Sequence, residues 1–182
     1  ISLGAVVEEI SLPLSKLGLP AYYILCPAEV SSNLSRYDGQ RFGYSYGDAK
    51  DLSESYMLSR DVGFGDEAKR RIMIGTYVLS SGYYDAYYKK AQVVRTKIIE
   101  ESDKAFSKFD FLIGPTTPTT AFKIGDKTGD PISMYLSDLM TVSANLTGCP
   151  SISIPAGEAQ GLPVGLQIIA NQRKDRELLG FA

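Results

Sequence analysis

Ile72, Leu79, Ala86 and Val93 recur every seven residues, and Tyr83 follows Leu79 by four. This spacing predicts a long amphipathic helix over residues 65–92, its apolar stripe turned to a core. The pattern runs on through Ile98 to about Phe106, with room for a break at the Ser-Ser-Gly of residues 80–82. Asp66 suits the N-cap, with Glu67 in the first helical position. Upstream, "GAVVEEISLP" at 4–13 reads as a short strand. Residues 21–34 read as a helix that Pro27 kinks or ends. Residues 36–47 form a turn-rich loop, and 51–63 a short helix with Leu52, Tyr56 and Ser59 on one face. Downstream, "FDFLIGPTTP" at 109–118 reads as a buried strand, parallel to its neighbours because a long helix precedes it. Residues 125–131 are a loop, and 133–148 a helix closed by Gly148. Residues 150–157 and 162–170 are strands joined by a hairpin loop. A last helix starts near Asp175. No repeat, low-complexity tract or linker intervenes, so residues 1–182 read as a single α/β unit.

Composition narrows the chemistry. The chain has 182 residues, 44% of them hydrophobic, and a net charge of -2. That is enough for one core of ordinary size, and the near-neutral balance argues against direct, non-specific binding of nucleic acid. No apolar run is long enough for a bilayer and no basic-then-apolar segment opens the chain, so a soluble, cytoplasmic protein is expected. Histidine is absent, which excludes Ser-His-Asp and Cys-His catalysis and any His-ligated metal within these residues. Cys26 and Cys149 are far apart and flanked by apolar residues and proline, and read as buried free thiols in a reducing compartment. The chain opens on Ile1 and stops in a helical-looking "RKDRELLGFA", so both ends read as cut from a longer protein.

Two features of the long helix run against helical preference. Arg70 and Arg71 lie in its first turns, where the macrodipole favours negative charge. Gly75 and Gly82 lie inside it, each worse than alanine by about 1 kcal/mol. At about 100° per residue, Arg71, Gly75, Val78 and Gly82 share a face, while Arg70 lines up with Ile74, Tyr77 and Ser81. Glycines on a helix face admit another backbone or a ligand at close range. An arginine ending such a face points into a cleft, where its planar fork suits a carboxylate. The alternative is a solvated pair with Asp66, Glu67 or another surface acid. That alternative is preferred for Arg70, and for Arg71 both readings stand.

Other candidate groups take bland readings. Tyr83, Tyr84, Tyr87 and Tyr88 form i, i+4 pairs that suit packing with hydroxyls in water. Lys89, Lys90, Arg95 and Lys97 read as a solvated face. Asp138, among Leu136, Leu139 and Met140, reads as the polar side of a helix. "GPTTPTT" at 114–120 lacks the ending of a phosphate loop and reads as a strand-terminal loop at a pocket edge.

Longer strings carry a stronger signal. "PAEVSSNLSRYDGQRFGY", "GFGDEAKRRIMIGTYVLSSGYYDAYYKKAQVVRTKI", "FLIGPTTPTTAF", "MYLSDLMTVSANLTGCPSISIP" and "GLPVGLQII" resemble, in collinear order over essentially the whole chain, the C-terminal part of the amidase-signature family. The likeness is to its branch of tRNA-dependent amidotransferase subunits. The resemblance implies an α/β fold, the C-terminal portion of the amidase-signature fold, with a mixed sheet flanked by helices. It implies hydrolysis of glutamine to glutamate and ammonia by a serine nucleophile, a second serine in a cis peptide and a lysine. The ammonia then passes to partner proteins, the B-type and C-type subunits of the complex. The B-type partner binds the tRNA and uses ATP and Mg2+ to amidate Glu-tRNA(Gln) or Asp-tRNA(Asn).

The family's Gly/Ser-rich nucleophile stretch and its catalytic lysine segment do not occur in these residues, and the Ser-Ser-Gly at 80–82 does not match them. The resemblance therefore gives the chain no catalytic residue, metal ligand or cofactor of its own. Alone, it is expected to be inactive and, with an unpaired sheet edge, to self-associate. Three substrate-holding positions carry over. Arg71 in "KRRI" would take the glutamine α-carboxylate and Asp138 in "MYLSDL" its α-ammonium. Tyr22 in "AYYIL", with Tyr23 beside it, would line the pocket. The competing readings are a general amidase for another small amide and a non-catalytic interaction module. An apolar amide has no use for the opposed charges of Arg71 and Asp138.

Overall fold

The computed structural model describes residues 4–182. Its regular elements are α1 (Gly18–Leu34), α2 (Leu52–Gly63), α3 (Asp66–Leu79), α4 (Lys90–Phe106), β1 (Phe111–Pro115), α5 (Pro131–Tyr135), α6 (Val142–Thr147), β2 (Ser151–Ala159), β3 (Leu162–Ala170) and α7 (Asp175–Phe181). A 3-10 turn, Pro13–Leu17, precedes α1, and a π-helical turn, Tyr84–Lys89, leads into α4. The sequence shows no boundary, but contacts group the residues into two compact units. One is Pro20–Val93; the other takes in the chain up to Leu19 together with Val94–Ala182.

The Pro20–Val93 unit is helical. Pro27 lies inside α1 without ending it. The N-cap Asp51 opens α2 by accepting a hydrogen bond from the Glu54 amide, 2.8 Å away. At α3 the cap is Gly65, with Asp66 and Glu67 as acids of the first turn, so Asp66 serves the helix dipole and not the cap. The single helix expected over residues 65–92 is interrupted. Ser80 turns extended (ψ 156°), its hydroxyl donates to the Tyr77 carbonyl at 2.7 Å, and Gly82 takes a left-handed φ of 88°. That break undoes the seven-residue stripe, because a helix that restarts loses its phase. Leu79 and Val93 are exposed, and Gly75 and Val78 of the arginine-glycine face are the buried positions of α3.

The other unit holds the sheet, in the order β1-β3-β2. Both pairings are antiparallel, with Leu112 opposite Ile169 and Ile152 opposite Ile168. The parallel pairing expected for β1 is therefore corrected. β1 and β2 do run in the same direction, as strands joined through helices should. The hairpin strand β3 occupies the slot between them. The hairpin turns at Gln160 and Gly161, both at positive φ (56° and 72°), the pattern of a tight two-residue turn. Ile168, Ala170 and Leu178 form its core, against which Phe111, Ile152 and Ile154 pack. Phe111 and Phe181 stack at 4.3 Å between centroids.

Two further expectations are corrected here. Residues 4–13 form no strand: the chain is irregular up to the 3-10 turn, and Val6 is 86% exposed. A β-branched run becomes a strand only when a neighbour supplies a ladder and a face to bury. The helix expected over 133–148 is split into α5, a 3-10 turn Leu136–Asp138 and α6. The Thr141 amide and hydroxyl both donate to the Asp138 carbonyl, at 3.1 and 3.2 Å, and tighten the backbone there. Gly148 closes α6 in the left-handed conformation (φ 72°), as its position suggested.

Candidate functional site

The arginine-glycine face of α3 meets α1. A Cβ on Gly75 would overlap the carbonyl oxygen of Pro27 and lie 2.7 Å from the Ser31 Oγ. The missing side chain is thus what lets the two helices close, one turn beyond Arg71. Gly82 has nothing within 4 Å of a would-be Cβ and is needed instead for its left-handed turn.

That close approach brings Arg71 against Tyr22 and Tyr23. The Arg71 side chain is 25% exposed. Its guanidinium carbon lies 5.6 Å from the centroid of the Tyr23 ring, within cation–π range. Its Nε donates to Glu67 Oε1 at 2.9 Å, an i, i+4 pair with the acid on the N-terminal side, the favoured orientation. Arg70 binds the other oxygen of the same carboxylate. The pairing of both arginines with Glu67 is the alternative left open by the sequence, and in Arg71 it coexists with inward placement against the tyrosines. Burial works against the charge on Arg71, but hydrogen bonds to Glu67 and to the Tyr22 hydroxyl outweigh it and raise the guanidinium pKa. Tyr22 is held above the usual phenol range, first by its hydrogen bond with the Cys26 thiol and then by burial, with Arg71 pulling the other way. Both cysteines are free and half-buried.

Arg71 and Tyr22 are brought together within one unit. Asp138 belongs to the other, at the end of the 3-10 turn after α5, where its side chain is exposed. Neighbouring Ser137 receives a hydrogen bond from Lys127 Nζ at 2.9 Å. The same unit has a hollow of about 450 Å3 lined by Asn145, Cys149, Arg173 and Asp175. None of the three proposed substrate-holding residues lines it. Among the described residues no group of three or more acidic or cysteine side chains is gathered as a metal site, and no helix is long and apolar enough to cross a membrane.

Two side-chain roles escaped the sequence reading. Tyr23, noted only as a neighbour of Tyr22, supplies the ring under Arg71. Arg95, read as solvated, is half-buried and donates from Nε to the Leu146 carbonyl at 2.7 Å, satisfying the end of α6. The signal for Glu67 was present in its i, i+4 spacing to Arg71. Nothing in the local sequence announces the contact of Arg95 across 51 residues.

Comparison with known proteins shows the family and the fold. The family model described as Amidase matches residues 1–179. The A-type subunit of the glutamyl-tRNA(Gln) amidotransferase of Nitrosococcus oceani is 58% identical over 180 residues, covering 99% of this chain and 37% of that protein. The chain thus spans little more than a third of the length of such curated relatives, in their C-terminal part. The crystal structure of the corresponding A-type subunit of glutamyl-tRNA(Gln) amidotransferase from Thermotoga maritima matches with a TM-score of 0.65 at 40% identity, over 97% of this chain and 33% of that one. A crystal structure of an amidase superposes with a TM-score of 0.71 over 99% of this chain and 37% of that one. At 22% identity it bears on the fold alone.

Proposed function

Because the chain belongs to the amidase family, we propose that it is the substrate-holding part of the glutamine-hydrolysing, A-type subunit of a tRNA-dependent amidotransferase. The observation that carries the reading is Arg71, half-buried between α3 and α1, charged, and set against Tyr22 and Tyr23. A free amino acid carries an anion and a cation on one carbon. In this reading Arg71 receives the α-carboxylate of glutamine, Asp138 its α-ammonium, and Tyr22 lines the pocket. Leaving either ligand charge buried and unpaired would be costly, so the pair selects glutamine over amides that lack both charges. The 58% identity to a glutamyl-tRNA(Gln) amidotransferase relative supports the same assignment over a general amidase.

The attack on the amide belongs to residues outside these, since no Gly/Ser-rich nucleophile stretch occurs in them. The ammonia released serves the B-type and C-type partners, where the tRNA, ATP and Mg2+ are engaged and the misacylated tRNA is amidated. The test uses the complete amidotransferase. Arg71→Ala should raise the glutamine KM about 10- to 100-fold, the range for a lost hydrogen bond to a charged group. Amidation supported by free ammonia should persist. An equal fall in ammonia-dependent amidation would make Arg71 structural.

A further inference from the structure

Resting on that reading of Arg71, we propose that Glu67 is a positioning residue for glutamine. It holds the Nε edge of the Arg71 guanidinium so that the terminal nitrogens face the ligand carboxylate. Three observations converge. Glu67 Oε1 sits 2.9 Å from Arg71 Nε and the Tyr22 hydroxyl takes a further hydrogen bond, so of the five guanidinium N–H donors others remain for an anion. The Tyr23 ring, its centroid 5.6 Å from the guanidinium carbon, is a second contact on the head of Arg71 beside Glu67. Arg70 occupies the other oxygen of Glu67, so the carboxylate is pinned between two guanidinium groups.

The charges allow this role. Two arginines share the one Glu67 carboxylate, which cannot by itself neutralise both. Among the described residues no other carboxylate pairs with Arg71. A carboxylate competing with the ligand would be expected to span both terminal nitrogens. Glu67 is anchored one turn back on the same helix and takes Nε.

The experiment compares Glu67→Ala, Glu67→Gln and Arg71→Ala in the complete amidotransferase. Glu67→Ala is expected to raise the glutamine KM about two- to fivefold, the range an ion pair of this exposure supports. Its kcat and its ammonia-dependent amidation should stay unchanged. Glu67→Gln keeps a carbonyl acceptor for Nε and should fall between wild type and Glu67→Ala. An unchanged or lowered KM in Glu67→Ala, or an equal loss with ammonia, overturns the proposal. If Arg71→Ala raises KM and Glu67→Ala does not, only the role of Glu67 falls. If Arg71→Ala itself leaves KM unchanged, the glutamine reading falls and this proposal with it.

Discussion

At Gly75 two opposed effects can be weighed. Alanine in a helix interior is favoured over glycine by about 1 kcal/mol. Here the added methyl would overlap the Pro27 carbonyl oxygen, which is backbone and cannot swing aside. Overpacking of this kind costs typically about 1–3 kcal/mol, and forcing two helices apart lies at the upper end. Gly75→Ala is therefore expected to lower unfolding stability by at least about 1 kcal/mol in urea titrations. It should also loosen the seat of Arg71 on Tyr23, one turn away on the same face. A gain in stability would mean that α3 and α1 are not in the contact described. Gly82→Ala differs, because that site has space and the left-handed φ alone is the obstacle.

Among the elements, the turn between α3 and α4 has an electrostatic signature. Tyr77, Tyr83 and Tyr87 gather there, with the Tyr77 and Tyr83 rings 4.3 Å apart. The hydrogen bond its hydroxyl makes to Tyr83 is the main reason that the Tyr77 pKa is pushed up to about 12. A group whose pKa is raised on folding favours the folded state below its unfolded value, near 10 for tyrosine, and that contribution is lost as pH rises through 12. Ultraviolet titration should show a late-ionising component to which Tyr22 and Tyr77 both contribute, and Tyr77→Phe should shrink it; a late component that Tyr77→Phe leaves unchanged would contradict the cluster. The same turn shows the limits of sequence reading. Ser80–Gly82 is visible as a candidate break, but the heptad of Ile72, Leu79, Ala86 and Val93 reads straight through it. Periodicity reports which residues could share a face, and only the backbone phase decides which do. Where local chemistry dominates, the reading holds: Gly148 ends α6, Asp175 opens α7, and β2 and β3 form a hairpin. Where the outcome depends on residues far apart in sequence, as for β1 beside β3 or Arg95 on Leu146, it does not. Of the proposed site, the inward placement of Arg71 was one of two readings the sequence left open, and of the two glycines that suggested it only Gly75 lies on that face. The Tyr23 contact was not legible, because α1 gives no sign of where α3 will touch it.

For the whole molecule, the question is what these residues can do without the rest of a subunit. Their relatives are nearly three times as long, and the chain matches 37% of one of them. Among the described residues β1 and β2 each pair on one side only. Ile113 on β1, Ile132 on α5 and Leu179 on α7 lie exposed. Apolar side chains and open ladder groups of this kind favour association with a complementary surface. Holding a substrate and attacking it are separable tasks, and the groups proposed here bear only on the first. Arg71 is a fixed cation, Asp138 an acid, and Tyr22 a phenol whose pKa lies above the usual value, further still from ionising near pH 7. None of them generates a nucleophile at that pH, and the Gly/Ser-rich nucleophile stretch and lysine segment that the family resemblance calls for do not occur in these residues. The 182-residue chain by itself is therefore expected to release no ammonia from glutamine. Adding the complementary N-terminal portion should restore turnover if, as proposed, the nucleophile lies there. Turnover by the chain alone at a rate comparable to the full-length protein would show that the reacting serine lies within it, and the division between a holding part and an attacking part would have to be abandoned.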